Sequence, residues 1–247
     1  MNYFLGIDVG TTGCKAILVD ENGELIAKGV EEYPLYTPRP NWAEQDPSDW
    51  WQGTQQAIKK TLDSVSIDRK AIVGIGLTGQ MHGSVFLNNK GEVIRPAILW
   101  CDQRTAKECE EITQIVGREK MMRINGNPVL AGFTAPKIYW LKNNEPDHYK
   151  RIDKILLPKD YIRFCLTGEF ATDVSDASGT SLFDVPRRQW SDEIISDLKL
   201  NRNWFPDCFE SPEITGYLKR EIAQLFGMND QVIVVAGGGD NAAGAIG

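Results

Sequence analysis

Histidine is the scarcest reactive residue in this 247-residue chain. There are two, His82 and His148, far apart and in no ligand motif. That excludes an ordinary catalytic zinc site, which takes three protein ligands. The five cysteines (Cys14, Cys101, Cys109, Cys165 and Cys208) are odd in number and form no CxxC pair. A disulfide framework or a structural zinc site is therefore not expected, and a reducing cytoplasmic location is. Long apolar runs are missing too. Stretches such as Val232–Ala236 are far too short to span a bilayer, and no signal peptide is visible, so no membrane partner is expected. Basic charge is in deficit, with 27 Lys and Arg against 34 Asp and Glu for a net −7. This argues against a nucleic-acid partner but leaves a nucleotide open, because backbone N–H groups and a metal ion can hold phosphates. No GxxxxGK[ST] segment occurs, so a Walker-type phosphate loop is excluded.

What is present patterns as α/β. Tyr3–Val9, Thr12–Val19 and Glu24–Tyr33 read as strands joined by tight turns, a meander rather than a βαβ unit. Asp46-Pro-Ser-Asp49 starts a helix reaching about Ser64 that buries Trp50, Ala57, Ile58 and Leu62. Ala71–Thr78 is apolar on both faces, as a central strand should be. Val85–Leu87 and Ala97–Trp100 continue the β pattern. Arg104 to about Leu166 reads as mostly helical, Phe170–Leu182 as irregular, and Trp190–Leu198 and Glu221–Phe226 as short helices. Gln231–Ala236 is a last buried strand before a helix that opens at Asn241. The expectation is a mixed sheet, antiparallel at one edge and flanked by helices.

Four segments carry polar groups where chemistry would need them. In Gly6-Ile-Asp8-Val-Gly10-Thr11-Thr12-Gly13 a carboxylate ends a strand and a Gly/Thr turn follows. Small residues let the turn's N–H groups approach a phosphate, and Asp8 could hold Mg²⁺ through water. The plain alternative is a β-turn. Gly79-Gln-Met81-His82-Gly83 follows the central strand and suits a small polar ligand. The alternative there is a satisfied histidine beside a core methionine. In Gly237-Gly-Gly-Asp240-Asn241, Asp240 is either a plain N-cap or a site carboxylate that three glycines let a ligand approach. Trp100 with Asp102 and Arg104 could grip a polyol, or the two charges could form a surface ion pair of little value. Two dinucleotide-type fingerprints compete. Gly74-x-Gly76-x-x-Gly79 lies within a strand, and Gly237-x-Gly239-x-x-Ala242 is better placed but leaves no room for a second strand.

Taken in order, these segments resemble the FGGY family of carbohydrate kinases. Gly6–Thr12 is similar to the family's phosphate-binding hairpin, and Trp42-Ala-Glu-Gln-Asp-Pro47 with Trp50-Trp51 to the loop and helix that follow. Gly79-Gln-Met-His-Gly83 and Pro96-Ala-Ile-Leu-Trp100 resemble the sugar-site strands of the xylulokinases within that family. Phe133-Thr-Ala-Pro-Lys137, Leu157-Pro-Lys-Asp160 and Gly237-Gly-Gly-Asp-Asn241 complete a likeness over essentially the whole chain. The resemblance implies an RNase H-like fold of the actin/hexokinase/Hsp70 ATPase type, and transfer of the ATP γ-phosphate, with Mg²⁺, to D-xylulose. It places Gly10, Thr11 and Thr12 at phosphate, Asp8 at the metal, and Met81, His82, Trp100 and Asn241 at the sugar. Asp240 becomes the base. Glycerol kinases of the family carry an Arg-Glu pair where this chain has Met81-His82, which points away from glycerol.

The resemblance also implies that residues 1–247 are the amino-terminal, sugar-binding domain. An adenosine-binding domain of similar size is then expected beyond them, and little turnover from these residues alone. Alternatives carried forward are a non-catalytic sugar-binding module on the same fold, a kinase for ribulose, gluconate or another polyol, and a Rossmann oxidoreductase. A homodimer is left open.

Overall fold

A computed structural model describes residues 1–247. Its frame is a seven-stranded mixed sheet: β1 (Tyr3–Val9), β2 (Gly13–Asp20), β3 (Leu25–Glu32), β4 (Ile72–Gly79), β5 (Ile214–Tyr217), β6 (Ile233–Val235) and β7 (Gly238–Gly239). The spatial order is β5-β6-β4-β1-β2-β3, with β7 pairing onto the end of β4. β1, β2 and β3 form the expected antiparallel meander, while β1, β6 and β7 run parallel to β4. β4 has a neighbour on each side, which is why its sequence is apolar without alternation. The glycines Gly74, Gly76 and Gly79 lie within β4, so the first dinucleotide fingerprint is a strand and nothing more.

The helices used below are α1 (Pro47–Asp63), α2 (Thr134–Asn144), α3 (Pro158–Thr167), α4 (Val174–Ala177), α5 (Arg220–Phe226) and α6 (Asp240–Ile246). Leu5, Ile7 and Val9 alternate with Phe4, Gly6 and Asp8 along β1, so one face of the sheet is apolar and buried. On that face α1 packs Trp50, Ala57, Ile58 and Leu62 into the core, all as expected from their spacing. Asp46 caps α1 by accepting from the Ser48 N–H at 2.8 Å. A second apolar core lies away from the sheet, built from α2, the helices Ala106–Val116 and Arg118–Asn125, and Trp190, Ile194 and Trp204. No helix is long and apolar enough to cross a membrane, and all five cysteines are free.

The span 104–166 is mostly helical as expected, interrupted by the strand Lys154–Leu156, which pairs antiparallel with Val85–Leu87. Two expectations need correction. Trp190 lies in a two-residue strand, and its helix starts at Asp192 after the Ser191 cap. The segment 170–182 is ordered and largely buried, holding the strand Ala171–Asp173 and α4. Its polar sequence hid this because its aspartates do not face water. Asp173 and Asp176, with Asp160, surround the Nζ of Lys159 at 2.8, 3.3 and 2.6 Å, every side chain fully buried. Burial opposes charge on Lys159, but the three carboxylates outweigh it and hold the ammonium above its ordinary range. Asp176 is pushed up to about 8 by burial, against the pull of Lys159. Arg163 donates to Asp160 at 2.9 Å and to the carbonyl of Ala171. It also donates to the carbonyl of Ala236, just ahead of the glycine run. Lys159→Met would leave this carboxylate group without its centre. Urea unfolding at pH 7 is expected to show a loss of about 3–5 kcal/mol, the usual effect of breaking a buried ion pair from one side.

Candidate functional site

The site forms where β1, β4 and β7 end side by side. Asp8 of β1 is in register with Thr78 of β4, and Gly238 of β7 is in register with the same Thr78. Two strand spacings, about 10 Å, therefore separate the Asp8 backbone from the segment leading into Asp240. A cavity of about 400 Å³ opens here, lined by Asp8, Lys15, Thr78, Gly237 and Gly238 and floored by Gly6, Gly76 and the inner face of α6. The close approach depends on Gly237, which sits at φ +72°; a Cβ there would lie 2.0 Å from the carbonyl oxygen of Leu77.

Asp8 is half-buried, and its Oδ1 has no hydrogen-bond partner. Its pKa is raised, first by burial and further by the charge of Asp240, with Lys15 pulling the other way. Asp8 and Asp240 thus feel each other across the crevice. Thr78 Oγ1 is a second buried atom without a partner beside them. No group of three or more ligating side chains is present. A carboxylate with an orphaned oxygen, close enough to Asp240 to sense its charge, fits a hydrated divalent cation such as Mg²⁺, which dehydrates reluctantly.

The turn after Asp8 is held rigidly. Tyr33 donates its hydroxyl to the Gly10 carbonyl at 2.6 Å, and Gln80 donates to the same carbonyl at 3.2 Å. Gln45 donates to the Thr11 carbonyl at 2.8 Å and accepts from Trp50 and Gln80. These clamps escaped the sequence reading, since an isolated glutamine carries no positional signal. Trp100, 47% exposed, donates Nε1–H to Thr11 Oγ1 at 2.9 Å.

Its former companions separate from it. Asp102 and Arg104 are neither a polyol grip nor a surface pair; both side chains are buried. Asp102 accepts from the Ala43 N–H at 2.6 Å and from Arg104. Arg104 also meets Glu44 at 2.7 Å and lies 3.7 Å over the Trp42 ring. Their work is to anchor the loop before α1.

Met81 packs against the glycine run, while His82 faces Gly179. A Cβ on Gly239 would lie 2.8 Å from Met81 Cγ, and Asn241 Nδ2 sits 3.8 Å from Met81 Sδ. Gly239 donates its N–H to Ser175 Oγ, which donates to Asp173, so the buried charge group below also steadies this loop. α6 begins one residue earlier than expected, with Gly239 as N-cap and Asp240 as its exposed first residue. Asp240 Oδ1 accepts from the Asn241 N–H at 2.8 Å. His82 Nδ1 lies 2.7 Å from the Gly179 carbonyl. A carbonyl only accepts, so Nδ1 carries the proton and Nε2 is left as an acceptor. Burial pushes the imidazole down to about 4, and nearby Lys137 adds to this, so it is neutral at physiological pH.

The model for the amino-terminal domain of the FGGY family of carbohydrate kinases matches residues 3–247. The chain belongs to the FGGY family of carbohydrate kinases. Among FGGY relatives, the xylulose kinase of Escherichia coli K12 is 47% identical over 244 residues, covering 99% of this chain and 49% of that protein. A xyloylose kinase structure from Brucella ovis superposes with a TM-score of 0.94 at 41% identity, over 98% of this chain and 49% of that one. A gluconate kinase structure from Lactobacillus acidophilus gives 0.91 at 26% identity, over 98% and 48%. The chain spans about half the length of the curated relatives it matches. The fold is the actin/hexokinase type shared by these FGGY kinases, and an oxidoreductase reading of Gly237–Ala242 is set aside.

Burial holds the pKa of Asp8 above its ordinary value in the folded chain. Its carboxyl gives up a proton at lower pH in the unfolded chain than in the folded one, so ionisation above the ordinary value of 3.8 works against folding. Asp8→Asn removes that penalty. Its melting temperature should exceed that of the wild type at pH 7, with the gap closing as pH falls into the carboxylate range.

Proposed function

We propose that this chain carries the sugar site and the general base of an ATP-dependent kinase that converts D-xylulose to D-xylulose 5-phosphate. The observation that carries the proposal is that Asp8 and the segment leading into Asp240 flank Thr78 at one strand edge, with Asn241, the next residue, against Met81. The names of the relatives, xylulose kinases at 38–47% identity, support this sugar over others. Met81 offers a soft apolar contact in place of a charge, which suits an uncharged ketose. A cytoplasmic location accords with free cysteines and a phosphorylated product.

In this reading a sugar hydroxyl hydrogen-bonds to the Asp240 carboxylate, which takes the proton as the phosphoryl group arrives. His82 Nε2 accepts from a second hydroxyl, and Asn241 and the Trp100 face limit how the sugar lies. Gly10, Thr11 and Thr12 wrap the phosphates, their turn prefixed in shape by Tyr33, Gln45 and Gln80. Mg²⁺ bound at Asp8 would neutralise phosphate charge.

Asp240→Asn in the full-length protein is expected to lower kcat by about 10²–10⁴, the usual contribution of a general base, with D-xylulose affinity changed far less. A coupled assay with Mg-ATP and a panel of D-xylulose, ribulose, gluconate and glycerol tests both the base and the sugar. Retained activity in this variant removes Asp240 from the role, and preference for another substrate replaces D-xylulose. We propose further that residues 1–247 alone turn over slowly, since Asp240 and Asn241 stand exposed where exclusion of water would be needed. The same assay on the 247-residue chain, giving rates at the full-length level, would overturn this.

A further inference from the structure

The polar groups beneath His82 converge on one atom, its carbonyl oxygen. His82 sits at φ 67°, in the left-handed region that disfavours a residue with a side chain. Its carbonyl accepts from Lys137 Nζ at 2.6 Å and from Thr134 Oγ1 at 3.3 Å. Phe133, one residue ahead of α2, stacks on the imidazole at 4.4 Å with the planes 13° apart. A Cβ on Gly179 would lie 2.4 Å from His82 Cε1, so the loop opposite is shaped to the ring as well. The start of α2 therefore grips one residue by its ring face and twice by its carbonyl.

Lys137 is an expensive way to make one of those bonds. Its side chain is fully buried within the apolar run Ala135–Leu141, and it forms no ion pair. Asp102, the carboxylate whose charge acts on it, is engaged by Arg104 and the Ala43 N–H. Burial pushes Lys137 down to about 7, with Asp102 and Cys101 opposing and Arg104 adding. An apolar residue here would serve the core better. The hydrogen bond to His82 is what the lysine provides.

We propose that Lys137, seconded by Thr134, is a positioning residue that locks the left-handed backbone of His82 and so presents neutral Nε2 as the acceptor for a ligand hydroxyl. Naming that ligand as a sugar rests on the kinase reading; the lock itself does not.

Two histidines make the test direct. Histidine-selective ¹⁵N NMR resolves His82 once His148→Gln identifies the other signal. The wild type should show one Nδ1–H tautomer for His82 at all pH values above about 5. Lys137→Met keeps the length and removes the donor. Its melting temperature should stay level or rise, while His82 becomes a mixture of tautomers. D-xylulose binding by calorimetry, and KM in the full-length protein, should weaken about tenfold or more with kcat less affected, as for a misdirected hydrogen bond. Unchanged tautomer in Lys137→Met overturns the proposal, whether or not stability falls. A shifted tautomer in a protein that never phosphorylates sugars upholds the lock and defeats the kinase reading. If Lys137→Met does not fold, Thr134→Val removes the second donor alone and should shift the tautomer in the same direction by less; no shift there counts against the lock.

Discussion

One register holds the site together: Thr78 of β4 pairs with Asp8 on one side and Gly238 on the other. Parallel strands bring like ends to the same edge, so the carboxylate that ends β1 and the glycine run that ends the β6 segment must emerge side by side. Shift β1 by one residue and Asp8 would turn to the apolar face now held by Ile7 and Val9. The glycines follow from this crowding. Gly237 passes against the Leu77 carbonyl and Gly239 against Met81, leaving room for neither a side chain nor a normal strand.

The second theme is how much charge this domain buries around that edge. Lys159 with Asp160, Asp173 and Asp176 lies under the loop that carries Asp240. Arg104 and Asp102 lie under the loop that carries Gln45. Lys137 lies under His82. Each is a poor source of stability compared with an apolar core of the same volume. Each also fixes backbone groups that an apolar side chain could not direct. Ser175 links the Lys159 group to the Gly239 N–H, and Arg163 reaches the Ala236 carbonyl. The polar cores thus act on loop geometry, which is what transfer of a phosphoryl group to a positioned hydroxyl requires.

Much of this was legible from local pattern. The meander, α1 with its four core residues, and central β4 all follow from periodicity, and the structure has them within a residue or two. So does the placement of Gly6–Thr12, Met81-His82 and Gly237–Asn241 at strand ends. The segment 170–182 read as irregular because small and polar residues usually mark loops, and the buried Lys159 that its aspartates surround gives it a strand and a helical turn instead. Asp102 and Arg104 read as a polyol grip or a surface ion pair because charge was taken for exposure, and both side chains are buried.

The linear sequence determined which residues could form strands and helices, which turns had to be small, and the chemical kinds of the site residues. Those are local properties, set by side-chain size, branching and period over a few positions. Only the tertiary structure decided which of them meet. It joined Trp100 to Thr11 across 89 residues, His82 to Gly179 across 97, and Met81 to Asn241 across 160. It also decided which charges are buried and in what protonation state, because burial and neighbours fix a pKa and both are properties of the packed molecule.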